Sequence, residues 1–334
     1  MSPSLSILDL AAVGAAETVR DALEGTVALA RLAERLGYRR IWYAEHHNIE
    51  SIASSATAVV IAHVAAHTAS IRLGAGGIML PNHSPLVIAE QFGTLETLHP
   101  GRIDLGLGRA PGSDQLTMRA LRRDPDAADT FPQDVLELQA FLSDRSRIPH
   151  VNAIPGRGTN VPLYILGSSL FGAQVAAALG LPFAFASHFA PQALHEAVEI
   201  YRTRFEPSAD LDHPYVIAGV NVIAADTDAA AQQQLVAARR RRVRSVFSRD
   251  GEKLGDDDVD RILRSPQAAF VEQMMTYVAV GLPAVVRSYL DDFARHSHAD
   301  ELMVVHQADS VDARLQSVRL LAEAAGLPAS STNG

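Results

Sequence analysis

A closed (β/α)8 TIM barrel with an insertion after its seventh strand is the α/β fold this sequence predicts, and three observations predict it. Eight short apolar runs alternate with segments of helical periodicity over 334 residues, the pattern of parallel strands joined by crossover helices. The residues able to do chemistry gather where those runs end, which is the face on which such a barrel collects its site. No linker or low-complexity stretch divides the chain, so residues 1–330 read as one barrel domain whose insertion covers about 226–279.

Composition removes several classes of function. Hydrophobic residues are 48% of the chain, ample for a large core and too many for a disordered protein. With 29 Lys+Arg against 38 Asp+Glu the formal charge is −9, an unfavourable field for nucleic acid. The absence of cysteine removes disulfides, thiolate metal sites and thiol nucleophiles. The opening residues lack a signal-peptide pattern and no apolar run approaches a membrane span, so the expectation is a cytoplasmic protein with no membrane partner.

In chain order, residues 5–10 form the first strand with Asp9 near its end, and a helix over 16–36 follows until Gly37 closes it. The second strand, 40–44, ends in Glu45-His46-His47-Asn48, and a helix over 57–69 comes next. Residues 71–114 are the stretch around which the rest is organised. Gly74, Gly76 and Gly77 interrupt its strand at 71–80; glycine weakens a strand interior, so something must approach that backbone closely. A helix over 85–98 is stopped by His99-Pro100-Gly101, and the strand at 102–107 opens into Gly108-Arg109-Ala110-Pro111-Gly112. An arginine in a Gly/Pro-rich loop at a strand end suits an anion, most simply a phosphate.

Beyond a helix over 131–143, the fifth strand at 162–167 ends in a glycine followed by Ser168 and Ser169. A helix over 171–179, a sixth strand at 182–187 ending at His188, a helix over 194–205 and a seventh strand at 215–224 follow. Residues 226–279 exceed what a crossover needs. They hold the arginine run 239–242, read as a solvated helix face, and the polar stretch 249–260, expected to be a mobile lid over the barrel mouth. A helix from Pro283, an eighth strand at 301–305 with His306 at its end, and an amphipathic helix over 310–325 complete the barrel.

Four stretches in register along this barrel carry a resemblance. Ile41-Trp42-Tyr43-Ala44-Glu45-His46-His47, Leu73-Gly74-Ala75-Gly76-Gly77-Ile78-Met79-Leu80-Pro81, the run from His99-Pro100-Gly101-Arg102 to Gly108-Arg109, and Ile165-Leu166-Gly167-Ser168-Ser169 look like the bacterial luciferase-like flavin monooxygenase family. Gly281-Leu282-Pro283 and Ala299-Asp300-Glu301-Leu302 fit its C-terminal end, so the resemblance spans nearly the whole chain. It implies a barrel that binds reduced FMN delivered by a separate flavin reductase and uses O2 to oxidise a small organic substrate. A homodimer is the expected assembly. The same barrel with a deazaflavin, or a flavin-binding protein without chemistry, are the alternatives.

Carried over residue by residue, the resemblance makes His46 the catalytic histidine beside the reactive flavin edge, where an imidazole that titrates near neutrality can move a proton. Successive strand residues face opposite sides, so His46 and His47 cannot both face the mouth; His47 is read as structural, and a metal site is not expected. Gly76 and Gly77 match a non-proline cis peptide that bulges against the ring. Arg109 becomes the phosphate or ribityl contact, with Ser168 and the backbone of Phe171 and Gly172 completing a cradle at a helix start; Ser168 also suits a plain N-cap. Asp9, Asn48, His188 and His306 end strands on the same face and are candidate substrate contacts or satisfied rim residues. The chain departs from luciferases proper at Gly167, where they carry an acid, at Ser84-Pro85, where they carry His-Pro, and at Phe171, where they carry a hydroxyl. Light emission is not implied.

Overall fold

The computed structural model describes residues 3–110, 115–248 and 254–329. Its strands are β1 (Ser4–Asp9), β2 (Arg40–Tyr43), β3 (Arg72–Met79), β4 (Ile103–Gly108), β5 (Leu163–Gly167), β6 (Phe183–Phe185), β7 (Val216–Ala224), β8 (Val278–Gly281) and β9 (Glu301–His306). Each of β1 to β6 pairs in parallel with the next; β6 pairs with β7, β7 with β9, and β9 with β1, so eight strands close into a barrel. Around them run α1 (Val19–Leu36), α2 (Thr57–Ala65), α3 (Pro85–Leu98), α4 (Gln115–Ala120), α5 (Phe131–Leu142), α6 (Leu170–Leu179), α7 (Leu194–Arg204), α8 (Asp228–Phe247), α9 (Asp256–Leu263), α10 (Ala268–Met274), α11 (Pro283–Ser297) and α12 (Val311–Ala325). Local chemistry sets the limits of these helices. Thr18 and Asp21 form a reciprocal capping box that starts α1, and Gly37, at φ 81°, ends it in the left-handed conformation that glycine adopts without steric penalty. Among the described residues no helix is long and apolar enough to cross a membrane.

The insertion differs from its expected form. It ends in the short strand β8, which pairs in parallel with the Asn221–Ala224 half of β7. β6 spans three residues and pairs only as far as Ala218, whereas β7 spans nine, so β8 covers backbone that would otherwise have an open edge. The expected lid over 249–260 is only partly within the described residues, since 249–253 lie outside them. The remainder is not a solvated loop: Asp256 starts α9, Asp256 and Asp260 accept hydrogen bonds from Arg240, and Val259 is fully buried.

Strand alternation divides the barrel cleanly. Leu8, Trp42, Ala44, Tyr164, Ala184, Ile217, Met303 and Val305 pack together inside the ring, while their neighbours Ile7, Ile41, Ile165, Phe183 and Val304 join the larger core between ring and helices. At the N-terminal end of the lumen sits a buried ionic layer. Arg40 donates to Asp104 (2.7 Å), to the Tyr164 hydroxyl (2.7 Å) and to Glu301 (3.2 Å), while Trp42 Nε1 donates to Asp104 (3.1 Å) and Tyr215 donates to Glu301 (2.7 Å). That end of the barrel is plugged, and open chemistry is confined to the other.

Candidate active site

The C-terminal end of β2 sorts its residues by side. Ala44 belongs to the lumen cluster, whereas Glu45 points outward and is buried, accepting from His47 Nε2 (2.9 Å), His83 Nε2 (2.8 Å) and the Met79 N–H (3.0 Å). Burial alone would raise the Glu45 pKa, but the hydrogen bonds from His83, His47 and Met79 together outweigh it and hold the carboxyl below its ordinary value. Glu45 thus locks β2 to the turn after β3 and fixes His47 on the outer side. Alternation with Ala44 and Glu45 puts His46 on the lumen side, and a charge on it would disfavour one on His188 at the end of β6.

Next in the ring, β3 breaks register between Ala75 and Ile78, and its Gly76–Gly77 peptide is cis. The barrel's own packing accounts for both glycines. A Cβ on Gly76 would stand 2.8 Å from Leu8 Cδ1 and Trp42 Cβ, and one on Gly77 would stand 2.8 Å from the Gly106 carbonyl oxygen. What comes close to this backbone is Trp42 from below and β4 from the side.

At the end of β4 the exposed Arg109 lays its guanidinium 4.3 Å over the ring of Phe171, in the first turn of α6. The loops after β4 and β5 therefore meet, and the arginine is held at the helix start. The N-cap of α6 is Ser169, not Ser168, and no side chain caps the helix. Ser168 is exposed beside it, and Gly167 packs on Gly172, where a Cβ would be 3.4 Å from the Gly172 Cα, which keeps the strand end tight against the helix start. Residues 111–114 of the Arg109 loop lie outside the described residues.

Other candidates fall elsewhere. Asp9 points outward with Ile7 and is committed: it accepts from Thr26 (2.7 Å), the Ala11 N–H (3.0 Å) and Arg314 (3.4 Å), so it ties β1 to α1 and α12 instead of offering a free carboxylate to substrate. Asn48 is exposed with φ 57° in the turn beyond β2. His306 also faces the helices; its Nδ1 meets Ser317 Oγ at 2.8 Å, its Nε2 is buried without a partner, and burial lowers its pKa to about 3. With Asp9, Arg241 and Arg314 it lines a cavity of about 90 Å³ behind the rim. His188 stays at the mouth, its Nδ1 buried against Gly219, and burial, then Arg242 and His46, lowers its pKa to about 3, so the imidazole is neutral.

Three features of the mouth escaped the sequence reading. Asn221, on the lumen side of β7, donates to the His188 carbonyl (2.6 Å) and accepts from Gln307 (2.9 Å), bracing the ends of β6, β7 and β9; a lone amide in an apolar strand was its signal. The Glu45–His83 contact left none, because the partners are joined only by the fold. The arginine run is not a solvated face: all four arginines are half-buried, and Arg241 brings α8 to the rim of β1 and β9.

A family model described as luciferase-like monooxygenase matches residues 4–301. The chain belongs to the luciferase-like monooxygenases. Within that family it is 48% identical over 319 residues to a luciferase-like monooxygenase of Escherichia coli (strain K12), with 95% of each chain covered. It is also 38% identical over 264 residues to the N-acetyl-S-alkylcysteine monooxygenase of Bacillus subtilis (strain 168), covering 75% of each. The crystal structure of apo-MsnO8 superposes with TM-score 0.88 at 38% identity, over 98% of this chain and 99% of that one. Two more distant structures share the fold: the oxygenating constituent of 3,6-diketocamphane monooxygenase of Pseudomonas putida with FMN (TM-score 0.70, 16% identity, 97% of each chain) and an F420-dependent secondary alcohol dehydrogenase (TM-score 0.66, 13% identity, 96% of this chain and 99% of that one). Barrels of this fold thus occur with both FMN and F420, and membership of the luciferase-like monooxygenases supports an oxidoreductase.

Proposed function

We propose that this protein oxidises a small organic substrate with reduced FMN and O2, the flavin arriving from a separate reductase. The observation that carries the reading is an arc of four adjacent strand ends. His46 follows β2, the Gly76–Gly77 bulge lies in β3, Arg109 follows β4, and Ser168 to Gly172 follow β5. The donor set fits a flavin nucleotide: a guanidinium, a serine hydroxyl and the uncapped N–H groups at the start of α6 suit a phosphate dianion. When bound, reduced FMN would supply the electrons that activate O2. The chain's own part is to anchor the phosphate through Arg109 and Ser168, to shield the mouth with α8, and to hold or release a proton at the His46 imidazole.

The Bacillus subtilis relative, an N-acetyl-S-alkylcysteine monooxygenase, supports a small polar molecule carrying sulfur as one substrate class to try first. Exposed Val59 on α2 and Val87 and Leu98 on α3 are apolar surface that supports a homodimer as the proposed assembly. Parallel titrations with FMN and with a deazaflavin, followed by turnover in air and without oxygen, test the reading. FMN binding with oxygen-dependent product is expected. Turnover without oxygen on the deazaflavin alone would replace it with a hydride-transfer enzyme, and flavin binding with peroxide as the sole product would replace it with a binding protein.

A further inference from the structure

We propose that His188 is a substrate-binding residue whose Nε2–H donates a hydrogen bond to an acceptor oxygen, most simply a carbonyl, on the molecule this protein oxidises. The inference begins with Gly219. It lies on the lumen side of β7, two residues after Ile217 of the lumen cluster, and the imidazole of His188 fills the place its side chain would take. A Cβ there would collide with Nδ1 and stand 3.3 Å from Cγ, so the edge of the ring at Nδ1 points at Gly219. That nitrogen is buried and has no hydrogen-bond partner. Nε2 is in the opposite condition: among the described residues nothing bonds it, and it is not enclosed.

These contacts assign the tautomer. A neutral imidazole carries one proton, and a hydrogen on Nδ1 would meet the Gly219 Cα hydrogen head-on, whereas a lone pair accepts that contact. The proton therefore belongs on Nε2. Because the two ring nitrogens point nearly opposite ways, Nε2–H is directed from the β7 wall into the lumen. Burial keeps the ring neutral, so it offers a donor and not a cation. Its position is fixed from several sides. Ser187 donates to the Gly219 carbonyl (2.6 Å), Asn221 donates to the His188 carbonyl (2.6 Å), and Phe189 packs edge-on against the imidazole at 4.9 Å. Phe189 is itself exposed, which puts an aromatic ring beside the donor. A small organic molecule with a carbonyl on an apolar frame matches that pair, oxygen to Nε2–H and hydrocarbon to Phe189.

The substrate assignment rests on the flavin reading, but the donor can be tested without turnover. NMR of protein carrying isotopically labelled histidine should show His188 at neutral pH as an uncharged ring protonated on Nε2, and the His188→Leu spectrum identifies its signals. Two ketones and the alkenes of the same shape, acetophenone with isopropenylbenzene and cyclohexanone with methylenecyclohexane, are then titrated with and without oxidised FMN. At least one ketone should bind wild type about threefold or more tightly than its alkene, as a neutral hydrogen bond predicts, and should shift the Nε2 signal. His188→Leu should abolish that preference, and Gly219→Ala, which evicts the ring without altering it, should do the same. His188→Gln, whose amide can still donate, should keep part of it. A proton on Nδ1, a smaller ketone preference in wild type, or a preference that survives in His188→Leu overturns the proposal. So does an FMN affinity about tenfold weaker in His188→Leu, which would assign the donor to a flavin carbonyl. Failure of wild type to bind FMN overturns the flavin reading alone, because the ketone comparison on flavin-free protein is read separately.

Discussion

Stacked on Phe171 at the start of α6, Arg109 has its position fixed before any anion arrives, so little side-chain entropy remains to be lost when one binds. Arg109→Ala should weaken FMN binding by about tenfold or more, the equivalent of roughly 1.5 to 3 kcal/mol for a charged hydrogen bond; fluorescence titration measures it, and an unchanged affinity would remove Arg109 from the cradle. His46 makes the opposite prediction. It lies on the lumen side at the far end of the same arc, so His46→Ala should leave FMN affinity within about twofold and lower the product formed per flavin oxidised, since losing a general acid/base typically costs about 10²- to 10⁴-fold in rate. Equal coupling of oxygen use to product in variant and wild type would return His46 to a structural role.

Among the elements, the barrel strands were legible and the insertion was not. Runs such as Tyr164-Ile165-Leu166 and Val216-Ile217-Ala218 are short, apolar and bounded by Gly or Pro, and their ends fall within a residue or two of the observed strands. β8 spans four residues and takes its order from the unpaired half of β7, a partner no local pattern reveals. Gly255 followed by Asp256, Asp257 and Asp258 falls in the polar stretch expected to be a lid, yet acids in a first turn complement a helix dipole, and here they start α9. The arginines of α8 were misread for a related reason: their acids lie on other elements, out to Asp309 beyond β9. At the candidate site, the strand ends that carry His46, Gly76, Arg109 and Ser168 could be read from local pattern, but which side each neighbour faces needed the closed ring. The N-terminal plug carries its own prediction. Arg40→Met leaves Asp104 and Glu301 in the lumen without their shared cation, with only the partly exposed Arg72 and Arg39 beside them, and should cost about 3 to 5 kcal/mol in urea unfolding. A loss below about 1 kcal/mol would show that those two arginines suffice.

For the whole molecule, buried neutral histidine makes stability depend on acidity. His306 is enclosed between β9 and α12 with its Nδ1 on Ser317, and burial lowers its pKa from 6.5 in an ordinary setting to about 3. Below pH 6.5 the unfolded chain therefore binds a proton that the folded chain refuses. The folded state's advantage is complete above 6.5 and declines as the pH falls towards 3. Glu45 acts in the same direction at lower pH: its folded pKa is held below 4.5, so the stability it contributes is present above that value and disappears as the pH drops through the folded one. The histidine contribution thus comes first on acidification. Between pH 6.5 and 5.5 His306 alone should remove about 1 kcal/mol, approaching about 1.4 kcal/mol for each further pH unit. Urea midpoints at pH 7.5, 6.5 and 5.5 for wild type and His306→Gln measure the difference. The glutamine variant should start less stable, having lost the Ser317 contact, and should have the flatter profile; parallel profiles would mean that His306 takes up its proton without disturbing the fold.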